Sequence, residues 1–246
     1  YVVHLHPAMV NGITCAQQGE EATGRLFPDA LWIELVKPGF ILANIVRERM
    51  VARGKSSLIF LQNHGIFVGG DSLEEINESY TLIMQKIGKE LKRKPDFTEL
   101  AADQSMVGKI KSELEAITGS PILFAMNREF SHYLKNEESF AHVGSSFTPD
   151  HIVYAGFKPL YVAALSSVQA AFKRFETEHG VQPKIVCVQD LGVFSIGEKP
   201  MPLFLDSVAI SVYSESFGGP RFMDDAMIDF IRNWEVEKYR SAVAGK

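Results

Sequence analysis

The chain has 246 residues, enough for one large domain or two small ones. Apolar residues make up 46% and charged residues 22%, ordinary values for a globular fold, and a net charge of −5 argues against nucleic acid or an anionic membrane as a bulk partner. Two cysteines, Cys15 and Cys187, exclude a disulfide framework or a zinc ribbon, so a reducing cytoplasm is the expected compartment; no apolar run reaches the ~18 residues of a membrane span, and no signal peptide is visible.

In chain order, residues 1–10 read as a strand and 11–27, with Gly12, Gly19 and Gly24, as a loop with at most a short helix. Leu31 to Val36 reads as a strand closed by Pro38-Gly39, and Phe40 to Ala52 as a helix with Gly54 past its end. Residues 57–62 form a strand, and Ile66-Phe67-Val68 continues or returns from it. Ser72 and Glu75 make a capping box ahead of Ile76, Tyr80, Ile83, Ile87 and Leu91 at helical spacing. The basic run Lys89, Lys92, Arg93, Lys94 suits the negative end of that helix as a solvated face. Residues 98–118 read as a connecting helix closed by Gly119. Beyond Pro121, strands are expected near Ile152-Val153-Tyr154 and at 184–188, helices at about 160–178 and about 222–242. The last carries Met227, Ile228, Ile231, Trp234 and Tyr239 as core or subunit contact.

The second half reads as a worn copy of the first. Pro28-Asp29 and Lys37-Pro38 are echoed by Pro149-Asp150 and Lys158-Pro159, and Leu61 to Gly70 aligns with Val188 to Gly197. In that alignment Leu191 stands where His64 stands, so the copy is expected to keep the fold and hold no metal.

The chemistry is carried by three histidines. His4 and His6, two apart in a β-branched run, project from one face of a strand and can reach one ion. His64 ends a second apolar run. All three lie at strand ends beside loop formers: Pro7, Asn63 and Gly65. A lone H-x-H is usually no more than two polar residues on a strand, but three neutral imidazoles leaving a coordination position open describe a catalytic rather than a structural zinc site. His132, His142, His151 and His179 have no paired spacing and read as structural or surface residues. His142, beside Gly144, Ser145 and Ser146, is the best placed of them for an anion pocket.

H-L-H-P at 4–7, Val36-Lys37-Pro38-Gly39-Phe40, then Asn63-His64-Gly65 with Gly69-Gly70 resemble, in order and spacing over residues 1 to about 92, the class II aldolase/adducin family. The resemblance implies an α/β fold, a layered α/β/α domain with a mixed sheet over 1–95; the residue patterns beyond it add a connecting helix over 96–120 and a second α/β unit over 121–246, expected from the matched motifs as a degenerate, metal-free repeat. It implies that His4, His6 and His64 bind a divalent ion, usually zinc. It also implies a lyase that cleaves a sugar phosphate or related hydroxy-ketone through a metal-stabilised enediolate, and assembly as a homo-oligomer, tetramers being common. The catalytic Glu and most phosphate-binding residues of such aldolases lie upstream of the H-x-H strand. They would fall before Tyr1, so a missing N-terminal segment is expected. Glu20, Glu21 and Glu34 do not match the base. No tyrosine lies between Tyr1 and Tyr80, where the aldolases use one, which puts fuculose-phosphate chemistry in question. Two other readings stay open: a metal-binding or assembly subunit without full catalytic equipment, and an epimerase or dehydratase on the same metal scaffold.

Overall fold

A computed structural model describes residues 1–163 and 167–234. The fold is mixed α/β, with two four-stranded mixed sheets. The chain divides into two units. One comprises Tyr1–Lys94 with Ala209–Met227; the other comprises Pro95–Val208 and the described residues from Ile228.

The first unit runs β1 (Val2–Leu5), α1 (Ala8–Thr14), α2 (Gly19–Leu26), β2 (Leu31–Ile33), α3 (Phe40–Arg53), β3 (Leu58–Leu61), β4 (Gly65–Gly69) and α4 (Leu73–Glu90). Its sheet has the order β1-β4-β3-β2: β4 is antiparallel to both neighbours, and β2 is parallel to β3. Strand alternation sends Phe60, Ile66 and Val68 to one face, where Val10, Ile13, Ile76, Ile83 and Ile87 from α1 and α4 close over them. It sends Leu31, Ile33, Ile59 and Leu61 to the other face, under Leu42 of α3.

Residues 11–27, expected as a loop with a short helix, hold the end of α1 and all of α2. Gly12 and Gly19 do not break them; they allow close approach. A Cβ at Gly12 would collide with Cβ of Tyr213, and one at Gly19 with the carbonyl of Ile13. The capping box at α4 is present in modified form. Ser72 Oγ accepts from the Glu75 N–H at 3.1 Å, while the Glu75 carboxylate accepts from the Asp71 N–H at 2.7 Å rather than from the N-cap itself. Ser72→Ala is expected to lower stability by about 1 kcal/mol, read as a lower urea midpoint with an unchanged slope. The basic run after α4 is not a free face. Arg93 Nε and Nη2 donate to the two carboxylate oxygens of Glu215 at 3.0 and 2.8 Å, and Lys92 Nζ donates to the Glu215 carbonyl.

The second unit runs α5 (Gln104–Thr118), β5 (Ile122–Ala125), α6 (Arg128–Tyr133), α7 (Glu137–Phe140), β6 (Leu160–Val162), α8 (Val168–His179), β7 (Ile185–Val188), β8 (Gly192–Ile196) and α9 (Pro200–Ser214), whose residues from Ala209 belong to the first unit. A final α10 covers Asp225–Asn233. The second sheet, β5-β8-β7-β6, has the same order and the same strand directions as the first.

The expected connecting helix is α5. It starts at the Asp103 cap and ends at Gly119, and it buries Val107, Ile110 and Leu114 in the core of the second unit. Leu160–Val162, expected as the start of a helix, pairs in parallel with β7, and the helix begins only at Val168. The expected strand at 152–154 is a π-helical turn, His151–Ala155. A buried His151 fixes it, its Nδ1 hydrogen-bonded to Thr148 Oγ1 at 2.8 Å and its Nε2 to Asp206 at 3.1 Å. The local Thr148 bond and the long-range Asp206 bond of His151 outweighed the strand preference of Ile152, Val153 and Tyr154 there.

Two signals of repetition fare differently. Lys37-Pro38 follows β2, whereas Lys158-Pro159 precedes β6, so that punctuation marks different places. The turns carrying His64 and Leu191 are built alike. Asn63 and Asp190 are the non-glycine residues with positive φ among those described, at 54° and 55°. Gln62 and Gln189 both donate to the end of the parallel neighbour strand at 2.9 Å; His64 and Leu191 both donate back to residue i−3, at 3.2 and 3.1 Å.

The same sheet face is covered unequally. In the second unit α5 and α8 lie over it, and Val168, Ala171, Phe172 and Phe175 of α8 are buried. In the first unit α3 buries only Leu42; Ile45, Val46 and Met50 stay half-buried, and Val2 and Phe40 are 73% and 82% exposed. The face that carries His4 and His6 is therefore the accessible one.

No helix among the described residues is long and apolar enough to cross a membrane. Both cysteines are free and buried, and burial pushes the Cys187 thiol well above its ordinary range. In the last helix Met227, Ile228 and Ile231 are buried within this chain, which removes them as an outward contact surface; Trp234 stacks on Phe230, and Tyr239 lies outside the described residues.

Candidate metal centre

β1 lies antiparallel to β4 with His4 directly opposite Phe67 and Leu5 opposite Ile66. This register carries His6 past the end of the ladder, beside Gly65 and the turn that holds His64. The three imidazoles meet there. Their ring centroids are 4.7, 5.1 and 4.9 Å apart, a near-equilateral triangle, and one nitrogen from each ring lies within 4.8 Å of the others. All three residues are half-buried, as a site that must admit an ion and a ligand requires.

The hydrogen bonds assign the nitrogens. His4 Nδ1 lies 3.0 Å from the carbonyl oxygen of Ile66, which can only accept, so Nδ1 carries the proton and Nε2 of the neutral ring carries the lone pair. Such a bond from the outer nitrogen to a backbone carbonyl is the usual support of a metal-bound histidine. His4 Nε2 faces His6 Nε2 at 3.0 Å. A tetrahedral zinc with bonds of ~2.0–2.1 Å would hold two such nitrogens roughly 3.3 Å apart. The pair is thus within a few tenths of an ångström of a chelating spacing. With His4 Nε2 as acceptor, His6 Nε2 donates across this contact; to present a lone pair to an ion the neutral His6 ring would take its other tautomer, with the proton on Nδ1. The donor set, its spacing and the carbonyl that holds His4 Nδ1 all fit a divalent cation of the imidazole-preferring kind.

Two backbone features and one stacked ring make the geometry. Asn63 is fully buried in the left-handed conformation, which asparagine tolerates better than most residues. Its N–H donates to the Thr14 carbonyl at 3.0 Å, and its Nδ2 donates to the Arg221 carbonyl at 2.7 Å. The Arg221 N–H in turn donates to the Cys15 carbonyl at 2.7 Å, so the turn presenting His64 is clamped by a segment 158 residues downstream. Gly65 permits the approach of the two strands: a Cβ there would lie 2.5 Å from both His6 Cδ2 and the Leu5 carbonyl oxygen. Phe67 stacks on His4, centroids 4.1 Å apart and planes 22° apart.

The sequence pointed to the three histidines. It pointed to neither the Ile66 carbonyl, nor the Phe67 stack, nor the Arg221 contact, because each depends on register or on residues far away in the chain. Of the carboxylates nearest in sequence, Glu34 pairs with Arg49 at 2.8 Å, and Glu20 and Glu21 lie in the first turn of α2. Among the described residues no carboxylate is grouped with the three rings. His132, His142 and His179 make ring contacts with Tyr133, Tyr133 and Phe175, and His151 is the buried linker described above. In the second sheet Phe124 is paired with Phe194 as His4 is with Phe67, so Phe124, Met126 and Leu191 stand at the places of His4, His6 and His64. These side chains offer no ligand set.

No family model matches the chain. An uncharacterized oxidoreductase, YuxG, of Bacillus subtilis (strain 168) is 25% identical over 87 residues, 35% of this chain; the match spans only 13% of that relative's length. A solved structure of an aldolase II superfamily protein from Pseudomonas syringae is similar over 57% of this chain and 61% of its own, with 11% identity and a TM-score of 0.38.

Proposed function

We propose that His4, His6 and His64 hold a divalent ion, zinc by preference, and that the chain carries the metal centre of a lyase acting on a hydroxy-ketone such as a sugar or sugar phosphate. The observation that carries this reading is the convergence of three imidazole nitrogens within 4.8 Å on the accessible face of the first sheet, with His4 already in the tautomer that presents a lone pair. The motif resemblance over residues 1–92 supports the reaction class.

A bound ion supplies Lewis acidity toward a carbonyl oxygen and its neighbouring hydroxyl. The chain's part is to fix the open position. The Ile66 carbonyl and Phe67 hold His4, the Asn63 turn presents His64, and Gly65 lets His6 come between them. Lyase chemistry also needs a base. In the aldolases that the motifs resemble, this role belongs to a Glu upstream of the H-x-H strand, and no carboxylate among the described residues is assigned to it. The working enzyme is taken to be a cytoplasmic homo-oligomer.

The grouping of the rings without a carboxylate favours a second reading, a metal-binding or assembly subunit. Aldehyde release from a panel of ketose phosphates by the zinc-loaded protein, in this form and with upstream sequence included, separates the two. Release of a two- or three-carbon aldehyde is expected. Tight zinc binding with no turnover by either form favours the subunit. Conversion without a released fragment indicates an epimerase or dehydratase. Light scattering at micromolar concentration that showed a monomer would remove the oligomer from the proposal.

A further inference from the structure

We propose that Phe67 is a positioning residue for His4, holding the plane of its imidazole so that Nε2 faces His6 and His64. This rests on the metal reading above.

His4 has two freedoms, and the structure restrains them from two sides. The Ile66 carbonyl takes the Nδ1 proton and fixes the ring edge. The face of Phe67 lies nearly parallel to the ring, at 4.1 Å and 22°, and fixes the plane. Phe67 is itself immobilised, because it packs against the cluster of Leu31, Ile33, Leu42, Ile59 and Leu61. The stack therefore transmits the rigidity of that small core to one ligand.

Strand pairing alone does not impose this geometry. The second unit places Phe124 and Phe194 at the same cross-strand position, and there the rings are 4.9 Å apart and tilted by 51°. Offset-stacked and tilted arrangements are both favourable for aromatic rings, and Phe27 and Phe60 stack at 29°, so cross-strand placement leaves the angle to the surroundings of each pair. At His4 the surroundings hold both ring nitrogens, against the Ile66 carbonyl and against His6, and the ring lies nearly flat on Phe67. The electron-rich face of Phe67 also suits an imidazole that gains positive character when it binds a cation. His6 and His64 meet each other at 58°, and the parallel support is at His4.

The test is Co²⁺ and Zn²⁺ affinity, by competition with a chromogenic chelator, alongside the melting temperature of the metal-free protein. Phe67→Leu and Phe67→Met remove the ring and keep apolar volume, and either one that circular dichroism shows to be folded can be read. The expected result is a loss of affinity of about tenfold, the scale on which outer-shell support acts, with a shifted or weakened Co²⁺ d–d spectrum. Phe67→Tyr should restore both. Phe194→Leu, the same change in the second unit, should cost stability without changing affinity. Wild-type affinity in a folded Phe67→Leu or Phe67→Met variant would overturn the positioning role and leave the metal site standing, and so would an equal loss in Phe194→Leu. Absence of ion binding by the wild type would overturn the metal reading and this role together.

Discussion

His64→Ala should leave the fold intact and lower divalent-ion affinity by more than the ~100-fold at the upper end of outer-shell effects, because a ligand itself is lost. The side chain sits in a turn whose backbone is held independently. The His64 N–H donates to the Leu61 carbonyl at 3.2 Å, and the Asn63 clamp does not involve the imidazole. Leu191, at the corresponding place, shows that the same turn forms around an apolar side chain. Removing the ring also takes one of three closely spaced imidazoles from an ion-free site, so the metal-free protein should not lose stability. Far-ultraviolet circular dichroism is expected to match the wild type, while chelator competition shows the loss of affinity, and with it any aldehyde-releasing activity. If the variant bound zinc as tightly as the wild type, the three-histidine centre would be excluded.

Gly65→Ala is expected to do the reverse: to damage the site through the backbone with all three ligands present. The added Cβ meets the Leu5 carbonyl oxygen and His6 Cδ2, each at 2.5 Å. The ring could swing away, but the carbonyl belongs to β1 and cannot move without disturbing its pairing with β4. Overpacking of this kind costs about 1–3 kcal/mol, and the shift falls on the strand end that carries His6. A lower melting temperature and a fall in ion affinity of ~10-fold or more should appear together. The contrast with His64→Ala is the check: one variant keeps stability and loses the ion, the other loses part of both. Gly65→Ala with wild-type stability would show that the strands part more easily than this packing implies.

How much of this was legible depended on how far along the chain each interaction reaches. The three candidate histidines could be read because a strand repeats every two residues and an Asn-His-Gly turn signals itself within three. Helices α3 and α4 could be read at their starts, since caps and apolar spacing are local; the helix expected from 98 starts only at Gln104, after the Asp103 cap, and α1 and α2 were not read as two helices, because Gly12 and Gly19 serve packing against Tyr213 and Ile13 and mimic loop punctuation. The strand expected at 152–154 failed for the same reason: Thr148, His151 and Asp206 meet only in the fold.

The sequence by itself determined the ligand types, their strand and turn placement, and the loss of ligands in the second half at Leu191. Only the tertiary structure decided that the three rings meet. Strand register placed His4 opposite Phe67 and sent its Nδ1 proton to Ile66, and a segment around Arg221 locked the His64 turn. It also decided which sheet face stays open: α5 and α8 cover that face in one unit and α3 alone lies over it in the other. Local propensity acts over a few residues and can name a ligand. A metal site needs nitrogens fixed to within a few tenths of an ångström, and that precision comes from cross-strand pairing and packing between residues that are distant in the chain.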